Sequence, residues 1–213
     1  MKLLLLTAYF PPEIGSAAHL FFELGAEFVR TGHEVTVLTG YPSYNIDPLT
    51  LETRYRKGLM LTELVEGMRV VRIRAYNAPR HIMVLRGLGQ FLSAWVQWLF
   101  ALFNGPKRVD VILVYSPPLF LGMTALMLRP FKKAKTVLNI QDLFPQSAID
   151  LGVLRNPVLI GLFQRVETFL YKRSNAVTVH SDGNKNHVVR CGGDAARIHV
   201  VPNVVDTRSI LPG

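Results

Sequence analysis

Residues 2–40 constrain this chain most, because they carry the pattern of a strand, a helix and a second strand. Leu3–Leu6 form a short apolar run of the kind that is buried on both faces of a parallel sheet. Two prolines then end the strand, and Gly15 and Ser16 stand where a helix begins. Apolar side chains recur at helical spacing from residue 17 to residue 28, and a β-branched run follows from residue 33 to residue 38. The sequence therefore predicts one βαβ unit with a right-handed crossover.

The turn between the first strand and the helix is a candidate phosphate site. Gly15 has no Cβ to obstruct a ligand, and the free N–H groups of the first helical turn, which begins at Ser16, favour an anion. Neither GxGxxG nor GxxxxGK[ST] occurs, so a dinucleotide fingerprint or a P-loop is not supported. The alternative, in which Gly15 only makes a tight connection, stays open at this stage.

Length and composition indicate a compact fold in a reducing compartment. The 213 residues suffice for one large domain or two small ones, with 49% hydrophobic and 18% charged residues. The single Cys191 excludes an intrachain disulfide and a thiolate metal cluster. The four leucines after Lys2 are too few for the apolar core of a signal peptide, which favours a cytoplasmic location.

The formal net charge of +9 calls for an anionic partner. We find no zinc-finger spacing, RNP motif or basic recognition helix, so nucleic acid is disfavoured and an anionic membrane surface is expected. Residues 52–86 carry eight Lys or Arg against three Glu, a local excess of five positive charges. The predicted membrane contacts are Arg54, Arg56, Lys57, Arg72, Arg74, Arg80 and Arg86. Within this stretch two alternating runs flank Glu66-Gly67 and predict a hairpin, whose arginines could equally protect a solvated edge.

Residues 87–103 form an uncharged apolar stretch with a polar stripe at Gln90, Ser93 and Gln97. The run is slightly short for a membrane-spanning helix, which needs around 20 apolar residues. We expect a crossover helix whose opposite, apolar face packs on the sheet, with an interfacial helix lying in lipid as the alternative.

From residue 109 onwards strands and helices alternate, which predicts an α/β fold with a doubly wound, mostly parallel, Rossmann-like sheet. Ligands bind such sheets outside the carboxyl ends of the strands. The side chains at those ends suit polyhydroxylated or phosphorylated ligands, whereas a paired-acid hydrolase site, a GxSxG elbow and HExxH are missing from the sequence. The candidate cleft residues are Tyr9, Glu13, Tyr41, Tyr44, Tyr115, Ser116, Gln141, His180 and Ser181.

With these residues in order, the chain resembles the N-terminal half of a family 4 glycosyltransferase of the two-Rossmann (GT-B) architecture. The resemblance is strongest at YFPPEIGSAAH, RTGHEVTVLTGYPSY, QDLFPQSAIDLG and VVPNVVD. The first and third segments are similar to bacterial fucosamine or aminosugar transferases of surface-polysaccharide and lipopolysaccharide synthesis. The resemblance implies an acceptor-side domain at residues 1–203 and, at 204–213, the start of a hinge toward a C-terminal donor-binding domain.

The resemblance also implies a function. Such an enzyme moves a sugar from a nucleotide sugar to a polyprenyl-diphosphate-linked acceptor with retention of configuration, at the inner face of the plasma membrane. Gly15 and Ser16 would approach the donor diphosphate and Asp142 would line the reaction cleft. Many family members have a cleft histidine where this chain has Tyr115 and Ser116, so no general base is carried over. The resemblance implies no metal and no other cofactor. It does imply a donor-binding domain, supplied in cis or in trans.

Two other interpretations remain. The chain could be a free-standing Rossmann-like subunit that binds ligand or docks on a membrane as part of a two-chain transferase. A nucleotide-dependent oxidoreductase is poorly supported, because Thr39-Gly40 closes the second strand where an acidic residue would be expected.

Overall fold

The computed structural model describes residues 1–43, 45–46, 52, 55, 58–74 and 83–203, without the side chains of 83–88 and 90. The elements in chain order are β1 (Lys2–Leu6), α1 (Ser16–Arg30), β2 (Glu34–Gly40), β3 (Met60–Val65), β4 (Met68–Ile73), α2 (Met83–Asn104), β5 (Val111–Ser116), α3 (Leu119–Lys132), β6 (Lys135–Ile140), α4 (Gln146–Asp150), α5 (Pro157–Arg173), β7 (Ala176–Val179), α6 (Asp182–Arg190) and β8 (Ile198–Val200). The predicted hinge at 204–213 lies outside the described residues, as do Tyr44, Arg54, Arg56, Lys57 and Arg80.

The strands form one sheet in the order β3-β4-β2-β1-β5-β6-β7-β8. All neighbouring pairs are parallel except the β3–β4 hairpin, so the predicted doubly wound, mostly parallel sheet is confirmed. From β1 the chain continues outward through β2 and later returns to the other side of β1 at β5. This reversal of strand order opens a crevice at the carboxyl ends of β1 and β5.

β1 is buried on both faces, which separates two layers of core. Leu3 and Leu5 pack with Phe21 of α1 on one face. Leu4 and Leu6 pack on the other face with residues of α2 and α3. Because side chains alternate along a strand, the run of four leucines supplies both layers at once.

The hairpin predicted around Glu66-Gly67 is confirmed. β3 and β4 pair antiparallel with Val65 opposite Met68, which leaves a two-residue turn. Both turn residues have positive φ, 46° at Glu66 and 77° at Gly67, which matches the type I′ turns that suit the strand twist of hairpins.

Arg72 was predicted to contact the membrane, and the structure corrects this. The Arg72 side chain is 0% exposed, because β4 is an interior strand covered on its outer side by β3. Its Nε lies 2.5 Å from Glu63 Oε1, it donates a second hydrogen bond to the carbonyl of Pro11, and its guanidinium lies 5.2 Å from the Tyr55 ring centroid. Arg72 therefore braces the loop after β1.

The remaining membrane contacts stay predictions. Arg74 is exposed, and its guanidinium lies 4.8 Å from the ring centroid of Tyr41. Arg86 lies in α2, and its side chain is among those that the structure does not describe.

The orientation of α2 is the reverse of the one expected from its pattern. Ala94, Gln97 and Ala101 face inward, with Gln97 only 3% exposed. Thr124 Oγ1 of α3 donates a 3.0 Å hydrogen bond to the carbonyl of Ala94, and the small alanines permit this close approach. Six large apolar side chains of α2 are exposed instead. We call them the α2 apolar face: Phe91, Leu92, Trp95, Val96, Leu99 and Phe103. Over the described part of the chain, no helix has both the length and the apolarity needed to cross a membrane.

The buried Arg72–Glu63 pair generates a prediction about stability. Glu63→Ala leaves the buried guanidinium without its carboxylate, and breaking a buried pair in this way costs about 3–5 kcal/mol of unfolding free energy. Chemical denaturation measures the difference, and Glu66→Gln in the exposed turn is the control, expected within about 0.5 kcal/mol of wild type. A Glu63→Ala variant as stable as the control would contradict the bracing role.

Candidate functional site

A cavity of about 300 Å³ lies at the crevice where the strand order reverses. The loop after β1 forms one side, the end of β5 forms another, and the loop after β6 contributes Asp142. The lining residues are Tyr9, Glu13, Ile14, Gly15, Ser16, Ala17, Ala18, Asn45, Tyr115, Pro117, Pro118 and Asp142. We call this cavity the cleft.

The N-terminus of α1 opens into the cleft. Gly15 precedes the helix, no side chain caps it, and the first turn has no acidic residue. Ser16, Ala17 and Ala18 of that turn line the cleft, so the local dipole and the first-turn N–H groups favour an anion there. Gly15 has φ 168° and ψ 157°, an extended conformation open to any residue. The value of glycine at this position is therefore space, not backbone freedom.

Glu13 organises the loop that carries Gly15. The residue is 2% exposed, and its carboxylate accepts hydrogen bonds from the backbone N–H groups of Phe10 at 3.1 Å and Ser43 at 2.8 Å. These bonds join the loop after β1 to the loop after β2. Thr7 adds a local brace, since its hydroxyl donates to the carbonyl of Tyr9 at 2.9 Å.

Tyr115 is a neutral hydrogen-bonding group at the base of the cleft. It is 6% exposed, and its ring packs edge-on against Phe21 at 5.2 Å between centroids. Burial raises the pKa of Tyr115 to about 12, and the nearby charges of Asp142 and ionised Tyr9 act in the same direction. The phenol therefore keeps its proton at neutral pH. Asp142 is exposed at the rim.

The structure brings together six of the predicted site residues and leaves others elsewhere. Tyr9, Glu13, Gly15, Ser16, Tyr115 and Asp142 line the cleft. The other described candidates make local contacts: Ser116 is buried, Tyr41 lies beneath Arg74, Gln141 bonds Asn139 and Asn203, His180 contacts Asn184, and Ser181 caps α6.

Asn45 lines the cleft although it lies just outside the carboxyl-end segments that the sequence indicated. Asn45 has a positive φ of 46° in the loop after β2, and asparagine within a run of turn formers was the available signal. Pro117 and Pro118 follow the end of β5 directly and belong to the carboxyl-end segment 115–118, which the sequence had already indicated.

Solved structures with the same fold include two larger proteins. Sucrose-phosphate synthase from Thermosynechococcus elongatus superposes with a TM-score of 0.63 at 14% identity, covering 94% of this chain and 47% of that protein. HepE from Anabaena, in complex with UDP and glucose, superposes with a TM-score of 0.61 at 14% identity. The match covers 98% of this chain and 46% of the HepE chain. The fold is therefore that of a Rossmann-like domain of the GT-B glycosyltransferases.

The family follows from the sequence comparison. Residues 15–204 match the model of the glycosyl transferase 4-like domain, and the chain belongs to that family. A probable glycosyltransferase, WbjE of Pseudomonas aeruginosa, is 31% identical over 104 residues, 48% of this chain and 26% of that protein. The chain thus spans about half the length of the two structures and matches about a quarter of WbjE. The family resemblance predicted from the sequence is confirmed, whereas the finer similarity to fucosamine transferases stays a prediction.

The buried phenol of Tyr115 generates a prediction about pH. Its pKa is about 12 in the folded chain and near 10 when unfolded, so the stabilisation that it contributes is complete below pH 10 and is lost as the pH rises toward 12. Wild type should lose about 2–3 kcal/mol more unfolding free energy than Tyr115→Phe across this window. Denaturant titrations of both proteins measure it, and parallel pH profiles would show that the phenol is not shielded.

Proposed function

We propose that this chain is the acceptor-side domain of a retaining glycosyltransferase of cell-surface polysaccharide synthesis. The enzyme would move a sugar from a nucleotide sugar to a polyprenyl-diphosphate-linked acceptor. The observation that carries the proposal is the cleft at the strand-order reversal, where the uncapped N-terminus of α1 meets Tyr115 and Asp142. Membership of the glycosyl transferase 4-like family supports the reaction class.

The charges in the cleft support a second, donor-binding domain. Among the described lining residues the charged side chains are the acids Glu13 and Asp142, and Lys and Arg are missing. One helix N-terminus offers about half a positive charge, whereas a nucleotide-sugar diphosphate carries roughly two negative ones. The cations that stabilise the leaving diphosphate would therefore come from a domain closing over the cleft, in cis or in trans. Without it, the chain would bind acceptor and turn over nothing.

The proposed transfer takes place on the front face of the donor and needs no tyrosine or serine base. Tyr115 keeps its proton and Ser116 is buried, so neither serves as a general base at neutral pH. In the proposed mechanism the departing diphosphate oxygen takes the proton of the acceptor, and Asp142 at the rim orients the acceptor. This chemistry assigns no role to a metal ion or another cofactor.

The first experiment is a sugar-transfer assay with this chain joined to its donor-binding domain, using nucleotide sugars and a polyprenyl-diphosphate acceptor. Gly15→Val places a branched side chain where the diphosphate would approach and should lower kcat/KM by about 100-fold. Valine can adopt the extended backbone conformation of Gly15, so the melting temperature of the variant should equal that of wild type.

Gly183→Ala is the matched control. Gly183 lies in the first turn of a helix that follows a parallel strand, whereas Gly15 lies just before such a helix, and an added Cβ at Gly183 meets only Ser181 Oγ at 3.9 Å. Wild-type transfer by Gly15→Val would sink the proposed diphosphate site. Loss of transfer in both variants would remove the specific role of Gly15.

The α2 apolar face supports a peripheral location on the inner face of the plasma membrane. Four of its side chains, Phe91, Leu92, Trp95 and Leu99, are 39–46% exposed, and Phe103 is 76% exposed. The surface continues across α3 to α5, because Phe91 contacts Phe120 at 5.3 Å and Phe120 contacts Phe163 at 6.2 Å between ring centroids. Exposed apolar patches of this extent are typical of interaction surfaces.

Charge complementarity favours an anionic bilayer as the partner of this face. The chain carries a net charge of +9. Lys107 and Arg108 are exposed just beyond the end of α2, and Arg155 and Arg165 are exposed beside and on α5. Each basic residue near such a surface contributes roughly 1 kcal/mol of attraction. The acceptor lipid would be reached in the same plane.

Vesicle co-sedimentation tests the membrane contact. The double variant Trp95→Glu/Leu99→Glu should lower the partition coefficient for anionic vesicles by about 100-fold or more, since each side chain loses at least roughly 1.5 kcal/mol of apolar burial. Val189→Glu on α6 is the control, at a similarly exposed helical position of 39%. Equal binding of wild type to neutral and anionic vesicles would contradict the electrostatic contribution.

A further inference from the structure

A second cluster of reactive side chains lies outside the cleft, between α5 and α6. Glu167 projects from α5, His187 lies in the last turn of α6, and Cys191 follows that helix directly. His187 Nε2 is 3.6 Å from Glu167 Oε1 and 3.4 Å from Cys191 Sγ. All three ligand atoms lie within 4.8 Å of one another. None of the three residues lines the cleft.

The distances match those between ligands of a tetrahedral zinc ion. Ligands bound at about 2.0–2.3 Å in tetrahedral geometry lie roughly 3.3–3.6 Å apart. The two distances from His187 fall at this spacing, so a small rotation of Glu167 or Cys191 would close the third edge. His187 and Cys191 are one helical turn apart, which places both on the same face toward α5.

Hydrogen bonds alone satisfy these three side chains less completely than a shared metal ion would. One imidazole nitrogen, Nε2, faces both the carboxylate and the sulfur, and it can donate to or accept from only one of them at a time. The Glu167 side chain is 3% exposed, so a cation bound there would offset the cost of burying its charge.

The surroundings suit an ion. Zn²⁺ with one carboxylate, one thiolate and one neutral imidazole is electrically neutral, which fits a largely buried position. Tyr171 donates a 2.7 Å hydrogen bond to Glu167 Oε1 and would hold that ligand in place. The thiolate selects zinc over magnesium or calcium. Asp150 and Arg190, of opposite charge, also act on His187 electrostatically.

We propose that Glu167, His187 and Cys191 form a zinc site that fastens α6 to α5, with a solvent molecule as the fourth ligand. Its role is structural, because the cluster is separate from the cleft. The inference is independent of the proposed transferase activity, so the two can fail separately.

The test uses the full 213-residue chain, reduced and stripped of metal. Zn²⁺ is titrated against a chromophoric chelator, and Co²⁺ is added to a second sample as a spectroscopic probe. We expect one Zn²⁺ per chain, a higher Tm with zinc, and a thiolate-to-cobalt charge-transfer band. Tyr171→Phe should weaken zinc binding by about tenfold and keep the band, since it removes only a supporting hydrogen bond.

Variants of the ligands decide between the outcomes. Cys191→Ser should lose the charge-transfer band and bind zinc at least about tenfold more weakly, while His199→Asn, at an exposed position on β8, should match wild type. Undiminished zinc binding by Cys191→Ser would overturn the site. The proposal would also fall if the wild-type chain gave no cobalt–thiolate band, a result that does not depend on any variant folding.

Discussion

The burial of β1 on both of its faces is the constraint on which the rest of the structure depends. Its leucines supply both layers of core, so β1 can only be an interior strand, paired with β2 on one side and β5 on the other. That position makes the end of β1 one side of the crevice where the strand order reverses. The loop bearing Glu13 and Gly15 therefore opens into the cleft as a direct consequence of how the first strand is packed.

The sequence was sufficient for the parts of the fold that local pattern encodes. The βαβ unit, the Glu66-Gly67 hairpin and the alternating elements after residue 109 all follow from periodicity and turn chemistry. The order of strands is not local information. The carboxyl-end rule consequently identified Tyr9, Tyr115 and Asp142, which lie beside the reversal, together with His180 and Tyr41, which lie farther along the edge.

The misassigned residues were those whose environment depends on a partner distant in sequence. Arg72 occupies a strand position typical of a charged edge, but β3 covers it and the distant carbonyl of Pro11 accepts one of its hydrogen bonds. In α2 the assumption that polar groups face water failed, because Ala94 and Ala101 allow the closest packing on α3 and carry Gln97 inward with them. The Glu167–His187–Cys191 cluster was likewise invisible, since its members come from two helices and no spacing motif joins them.

The geometry of the aromatic side chains links the cleft to the α2 apolar face. Phe144 follows Asp142 by two residues and packs on Phe163 at 5.1 Å between centroids, and Phe163 in turn contacts Phe120, two residues beyond Pro118 of the cleft. The same apolar row that begins beside the cleft therefore ends at the exposed side chains of α2. If that face lies in a bilayer as proposed, this row of aromatic side chains would connect the bilayer to the loop that carries Asp142.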